Sequence, residues 1–340
     1  MTHETLQVVW FILLFVLLAG YAVLDGFDFG VGMLHPLARG DDERRISINA
    51  IAPVWDGNEV WLITAGAALF AAFPPVYATV FSGFYLALVL LLMALIFRAV
   101  SMEFRSKVAS PRWRSAWDGA FFAGSLLAPL LLGVAFGNVL RGLPLDEHGR
   151  YAGGFFDLLN PYALAVGLLT VATFLLHGAI YLMPKTGGEH QQRIERLIPV
   201  LWILFVVLYA VVTVATFVLN RHLVAGAAAV GLVWLLAPVL VCAAALWPLT
   251  RRRRWPAAFA VSSVMIVGII ALGAAGLFPR LVPHLGDPAA GLDIYNASST
   301  RLTLLVMLII ALIGMPAVIA YTILIHRSFR GRVVLHEDSY

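Results

Sequence analysis

This sequence has little charge. Of its 340 residues only 12% are Asp, Glu, Lys or Arg, about half the share found in a soluble domain. With 61% hydrophobic residues, such a chain is read as an all-α polytopic membrane protein. Cysteine is almost missing. Cys242, inside LAPVLVCAAALW, permits no internal disulfide and reads as a small packing residue. A basic n-region is also missing from MTHETLQ, and the first apolar stretch runs on too far for a cleaved signal, so it is expected to be a retained helix. No CxxCH, HExxH, Walker or GxGxxG pattern is convincing. Haem inside a helical bundle needs axial ligands, usually His with His or Met. Of the nine histidines, His177 alone is expected to be embedded, His326 falling at the very end of a span. A lone His on an apolar face reads as a hydrogen-bonded packing residue. Met93, Met265, Met307 and Met315 read as apolar filling. The chain by itself is therefore expected to bind no metal.

What is present is apolar sequence in long runs. Hydropathy predicts nine transmembrane helices, over 7–34, 48–73, 76–100, 116–140, 159–183, 198–220, 225–249, 257–278 and 302–326. Each has about 20 or more mostly apolar residues, enough to cross about 30 Å of hydrocarbon. The connections after odd-numbered spans hold seventeen Lys and Arg, those after even-numbered spans five, and Arg98 completes the set. Cytoplasmic loops collect Lys and Arg, which puts the N-terminus outside and the C-terminus in the cytoplasm. The same distribution assigns the net charge of +4 and the run Arg251–Arg254 to topology rather than to nucleic acid. The outside connections 141–158 and 279–301 are too short for a soluble domain, so residues 1–340 are expected to form a single integral membrane domain. The lengths suggest two four-helix bundles plus one peripheral helix.

Four acids interrupt the apolar runs: Asp25 and Asp28 in GYAVLDGFDFGVGML, Asp56 and Glu59 in APVWDGNEVWLITAG. A carboxylate at membrane depth costs several kcal/mol unless paired, hydrated or protonated. Each pair is three residues apart and shares a helix face. The predicted topology puts all four in the cytoplasmic half, with Arg98, Glu103, Asp118 and His177. A water-filled cleft from the cytoplasm would explain the set and suit protons, with Arg98 able to hold one acid as an anion. Glycines 26, 30, 32 and 57 leave room for close backbone approach. The ordinary readings are an N-cap for Asp118, an interfacial charge cluster for Glu103 with Arg105 and Lys107, and a simple bonded pair for Asp25 or Asp28. Asp56 is the hardest to explain structurally and is the leading candidate for a proton-handling or ligand-contacting role.

The stretches GYAVLDGFDFGVGML, RRISINAIAPVWDGNEVWLITAGAALFAAFPPVYATVFSGFYLAL, FRAVSMEFRSK, GVAFGNVLRGLP and IYNASSTRLTLLVM resemble subunit II of the bacterial cytochrome bd-type quinol oxidase family. The resemblance runs nearly end to end, although about 185–260 adds little. It implies a haem-free companion, of nine-helix fold, to a larger subunit I. That partner carries two b-type haems and one d-type haem, or only haem b in cyanide-insensitive relatives. A very small single-helix subunit often accompanies the pair, and some members hold a structural quinone in this subunit. The implied enzyme oxidises quinol at the outer face and reduces O2 without proton pumping. It implies a hydrophilic proton path with Asp56 on it and Asp25 at its entrance, and Asp28 and Arg98 match family positions in the same region. Two other readings compete: a secondary transporter, which suits embedded acids and glycine-broken helices, and a purely structural partner subunit.

Overall fold

The computed structural model describes residues 1–224 and 228–335, the side chains of 228–235 excepted. The architecture is helical, with one short β-ribbon. The first helix, α1 (His3–Leu34), starts on Thr2, whose side chain accepts from the Thr5 amide, and runs for 32 residues. Two further helices follow where a single span over 48–73 is predicted. They are α2 (Gly40–Ile51) and α3 (Trp55–Ala72). The break is at Pro53, which has no N–H to donate to the preceding turn. The polar α2 carries Asp41, Asp42 and Glu43 in its first turn, where the helix dipole favours negative charge.

The predicted span 76–100 is likewise two pieces, α4 (Pro74–Gly83) and α5 (Tyr85–Phe104). They meet in a kink at Phe84 (φ −98°, ψ 16°). The ladder carries on through it, since Leu88 N donates to Phe84 O at 2.8 Å. At the kink Gly83 lies against Tyr151, leaving no space for a Cβ. The remaining helices are α6 (Pro111–Arg141), α7 (Pro161–Leu182), α8 (Gly188–Leu219), α9 (Ala228–Arg251), α10 (Trp255–Leu277) and α11 (Arg301–Ser328). Helix α8 begins a full ten residues before its predicted span, because its first turns, GEHQQRIER, are polar and hydropathy cannot register them. Positions 225–227 of the predicted span 225–249, and His336, lie outside the described residues.

Among the described residues, seven helices are long and apolar enough to cross a membrane: α1, α5, α6, α7, α8, α10 and α11. This is a multi-pass membrane protein. Helix α7 is the most enclosed and α11 the least. The core forms where α1 packs against α3, α6, α7 and α10. At the crossing of α1 and α7, Gly30 and Gly178 face each other. A Cβ on Gly178 would come 2.5 Å from the Gly30 Cα, so only glycine permits this approach.

The two ends of the bundle differ. At one end, the segments after α6 and α10 interlock. There β1 (Arg280–Val282) pairs antiparallel with β2 (Leu292–Asp293), and Leu143 exchanges backbone hydrogen bonds with Pro283 and Leu285, both at 2.9 Å. At the other end, α2 lies across the ends of α1 and α5 and the starts of α6 and α8, held by charged side chains.

Candidate functional site

Arg98, on α5, is fully buried and gathers acids from two other helices. Its guanidinium grips Asp25 of α1 with both nitrogens, Nη2 to Oδ1 at 2.7 Å and Nη1 to Oδ2 at 3.1 Å. This is the two-pronged geometry that makes Arg the preferred partner of a buried carboxylate. Nη1 also reaches Glu59 Oε1 of α3 at 3.3 Å, and Nη2 lies 3.8 Å from Asp28 Oδ2. The Phe29 ring covers the guanidinium at 4.2 Å. Asn58 of α3 donates to Asp28 Oδ2 at 2.7 Å and to the Leu24 carbonyl at 3.1 Å. Gly124 of α6 lets α5 come close, since a Cβ there would lie 3.0 Å from the Arg98 Cβ.

Sequence spacing puts Asp25 with Asp28 and Asp56 with Glu59; in the fold the first pair meets at Arg98, while on α3 Asn58 joins Glu59 and Asp56 faces outward. Asp25 and Asp28 turn inward together, and Asn58 and Glu59 face them from α3. Two features of the cluster matter chemically. Three carboxyl groups share one guanidinium, so full ionisation would leave two uncompensated negative charges in an apolar setting. Asp28 Oδ1, Arg98 Nε and the Tyr21 hydroxyl are also buried with no hydrogen-bond partner among the described residues. Enclosure is graded. Asp25, Asp28 and Arg98 have no exposed surface, whereas the Glu59 side chain is 22% exposed. Asp56 is exposed outright. It sits one turn before Glu59 on the outer face of α3, with Tyr321 of α11 nearby, 3.8 Å from a Cβ built at Gly57. Asp25 is thus sealed inside the bundle rather than at a mouth, and the outermost acid is Asp56.

A second charged cluster, which sequence reasoning divided into unrelated pieces, pins α2 to the bundle. Asp118 lies two turns into α6, so it is not the N-cap that hydropathy implied. Its oxygens accept from His35 Nε2 at 2.6 Å, Arg105 Nε at 2.6 Å and Arg44 Nη1 at 2.7 Å. Arg105 is buried rather than interfacial, and its Nη2 donates to Asp41 at 2.8 Å. Arg114 donates to the other Asp41 oxygen at 3.1 Å. Farther along α2, Glu43 pairs with Arg193 and Ser47 meets His190 at 3.0 Å. Burial would raise the Glu43 pKa, but hydrogen bonds from the Arg39 amide and Arg193 prevail and hold it below its ordinary value. His35 and His190 are therefore buried alongside His177. The charge-dense run 39–45 marks this end of the chain in the sequence, but hydropathy assigns it to a connection rather than to α2.

His177 uses both ring nitrogens, Nδ1 lying 2.7 Å from Ser262 Oγ and Nε2 donating to the Val23 carbonyl at 3.1 Å. Its ring stacks on Phe259 at 4.7 Å. Among the described residues, no group of three or more His, Cys, Asp and Glu is placed to hold a metal ion.

Comparison with known proteins follows the same lines. The profile of the cytochrome bd terminal oxidase subunit II family matches residues 6–329. The chain is 41% identical to the cytochrome bd-I ubiquinol oxidase subunit 2 of Escherichia coli K12, covering 98% of this chain and 97% of that one. It is 35% identical to the cytochrome bd ubiquinol oxidase subunit 2 of Bacillus subtilis, with 97% of each covered. The fold is shared with a chain of the bd oxidase from Geobacillus thermodenitrificans, at a TM-score of 0.77, 19% identity and 96% and 98% coverage. This chain belongs to the cytochrome bd terminal oxidase subunit II family.

Proposed function

We propose that the chain is the haem-free subunit of a terminal quinol:O2 oxidoreductase in a bacterial cytoplasmic membrane, and that it supplies part of the route by which protons reach the partner's haems. It pairs with a haem-bearing subunit I. The haems of that partner supply the redox chemistry. Electrons from quinol at the outer face and protons from the cytoplasm generate a proton motive force without pumping. Nine crossings carry the fold: α1, α3, the kinked α4 and α5 together, and α6 to α11. The N-terminus is outside, and α2 lies along the cytoplasmic face.

The observation that carries the reading is the graded acid series. Asp56 stands on the lateral face of α3, Glu59 is one turn inward, and Glu59 touches Arg98 at 3.3 Å. A carboxylate facing hydrocarbon costs several kcal/mol, so Asp56 requires a polar cover, which a partner subunit and trapped water provide. A proton arriving at Asp56 passes to Glu59 on the same helix face. The Arg98 cluster, with more carboxyl groups than cations, is the store behind it. Within the store the roles divide. Asp25 is held two-pronged and enclosed, which makes it the fixed counter-ion that positions Arg98. Asp28, with one free oxygen, and Glu59 are the members free to exchange protons.

The test is Asp56→Asn in the assembled complex, comparing haem content by reduced-minus-oxidised absorbance with turnover by oxygen consumption. The expected result is a large loss of turnover at unchanged haem content. Normal turnover in a fully haem-loaded complex would overturn the proton role and leave a purely structural subunit. A colourless, solitary chain from membranes that express the partner would overturn the oxidase reading itself in favour of a transporter.

A further inference from the structure

Two cavities meet at the end of the bundle opposite α2, and neither takes part in the proton path. The inner one, about 310 Å³, lies among α6, α7, α8 and α10 and is almost wholly apolar. The outer one, about 590 Å³, is walled by Arg141, Asn160, Asn220, Arg221, His222 and His284. Tyr162 lines both, so the polar chamber adjoins the apolar one at that side chain. Its hydroxyl meets Thr216 Oγ1 at 2.9 Å, and that threonine donates onward to the Val212 carbonyl at 2.7 Å. Tyr162 therefore donates to Thr216, and the Asn220 side chain faces the same hydroxyl.

The outer chamber is built for an anion. No Asp or Glu lines it. The half-buried Arg141 and the exposed Arg221 form no ion pair among the described residues. Asn220 caps the C-terminus of α8 and is only 2% exposed, yet beyond its approach to the Tyr162 hydroxyl its Nδ2 makes no well-formed hydrogen bond among the described residues. A buried amide N–H without an acceptor costs about 1–3 kcal/mol, so a ligand oxygen is the natural partner. Burial lowers the His222 pKa, which leaves the two arginines as the source of charge.

We infer that this paired cavity is a binding site for an anionic phospholipid, its phosphate held by Arg141, Arg221 and Asn220 and an acyl chain lodged in the apolar chamber beneath. Arginine forks match phosphate oxygens, and basic pockets between membrane helices select anionic headgroups. A neutral isoprenoid ligand would suit the inner chamber but would leave both guanidinium groups without a counter-charge.

The experiment uses the complete complex, purified in mild detergent and reconstituted into nanodiscs of mixed phosphatidylglycerol and phosphatidylcholine. Tightly retained lipid is then quantified by native mass spectrometry. The expected result is retention of phosphatidylglycerol over phosphatidylcholine by a factor of about thirty, as two arginines at about 1 kcal/mol each supply. In Arg141→Gln/Arg221→Gln that preference is lost at unchanged haem content. Excess inorganic phosphate leaves the lipid bound. Equal retention of both lipids by the unmodified complex overturns the inference. So does a preference that survives the double substitution. Displacement by inorganic phosphate reduces the site to a phosphate pocket, and a retained quinone in place of lipid assigns the cavity to a neutral ligand; either result overturns the lipid assignment.

Discussion

The Arg98 cluster offers the sharpest quantitative test, because its parts fail differently. Arg98 and Asp25 both have fully buried side chains and are joined at 2.7 Å. Replacing one member of such a pair strands the other and costs about 3–5 kcal/mol. Arg98→Met meets that expectation in full, since three carboxyl groups lose their only cation and must be neutralised by protons. Asp25→Leu costs less, about 1–3 kcal/mol, because Arg98 keeps Glu59 and Asp28 within 3.3 Å and 3.8 Å. Combining the two removes both buried charges at once, so the double variant is more stable than the sum of the single losses predicts. The difference, at least about 2 kcal/mol, is the coupling energy of the pair. The assay is denaturant unfolding of the assembled complex in detergent, followed by haem absorbance and by helical circular dichroism, with midpoint and slope compared across the four proteins. Strict additivity, within about 0.5 kcal/mol, would refute the claim that Arg98 and Asp25 act as one unit. A stable Arg98→Met with unchanged haem content would refute the claim that the cation is required at all.

Other expectations concern packing and the α2 face. Gly178→Ala places a Cβ 2.5 Å from the Gly30 Cα, a backbone clash that α1 and α7 can relieve only by separating. The loss is expected at the upper end of the 1–3 kcal/mol range for overpacked cores, about 3 kcal/mol, with a fall in assembled complex. Gly66→Ala, where nothing lies within 4 Å, is the matched control and is expected to be neutral to slightly stabilising. Asp118→Asn releases His35, Arg44 and Arg105 together and is expected to cost about 2 kcal/mol or more. Faster hydrogen exchange confined to residues 40–51 would register it, and unchanged protection there would count against the clamp. Glu43 gives a pH dependence. Its folded pKa is held down by the Arg39 amide and Arg193, so its contribution is present above its unfolded pKa of about 4 and is lost as pH falls through the folded value. Protection of α2 should therefore weaken in acid below about pH 4, and Glu43→Gln should abolish that part of the change.

The acids illustrate what could be read from the chain alone. Asp25, Asp28, Asp56 and Glu59 stand out against apolar neighbours, and spacing by three places each pair on one side of its helix. That logic is local, set by helical geometry and by the desolvation of charge. It failed where the deciding partner came from far along the chain. Asp118 read as a cap because nothing near it in sequence announced His35, Arg44 or Arg105, which arrive from 83, 74 and 13 residues away. The span 48–73 read as one helix because hydropathy averages over a window, while Pro53 removes a single hydrogen bond that no average shows.

Membrane residence, the run of apolar helices and the anomaly of buried carboxyl groups follow from composition and period, because hydrocarbon tolerates only satisfied backbone and penalises each charge where it stands. Which acid is sealed and which is exposed depends on the packing of three helices around one guanidinium. Arg98 selects Asp25 for its two-pronged grip, touches Glu59 and leaves Asp56 on the outer face. The sequence places all four acids at similar depth; only the tertiary arrangement separates the acid sealed against Arg98 from those left nearer the surface.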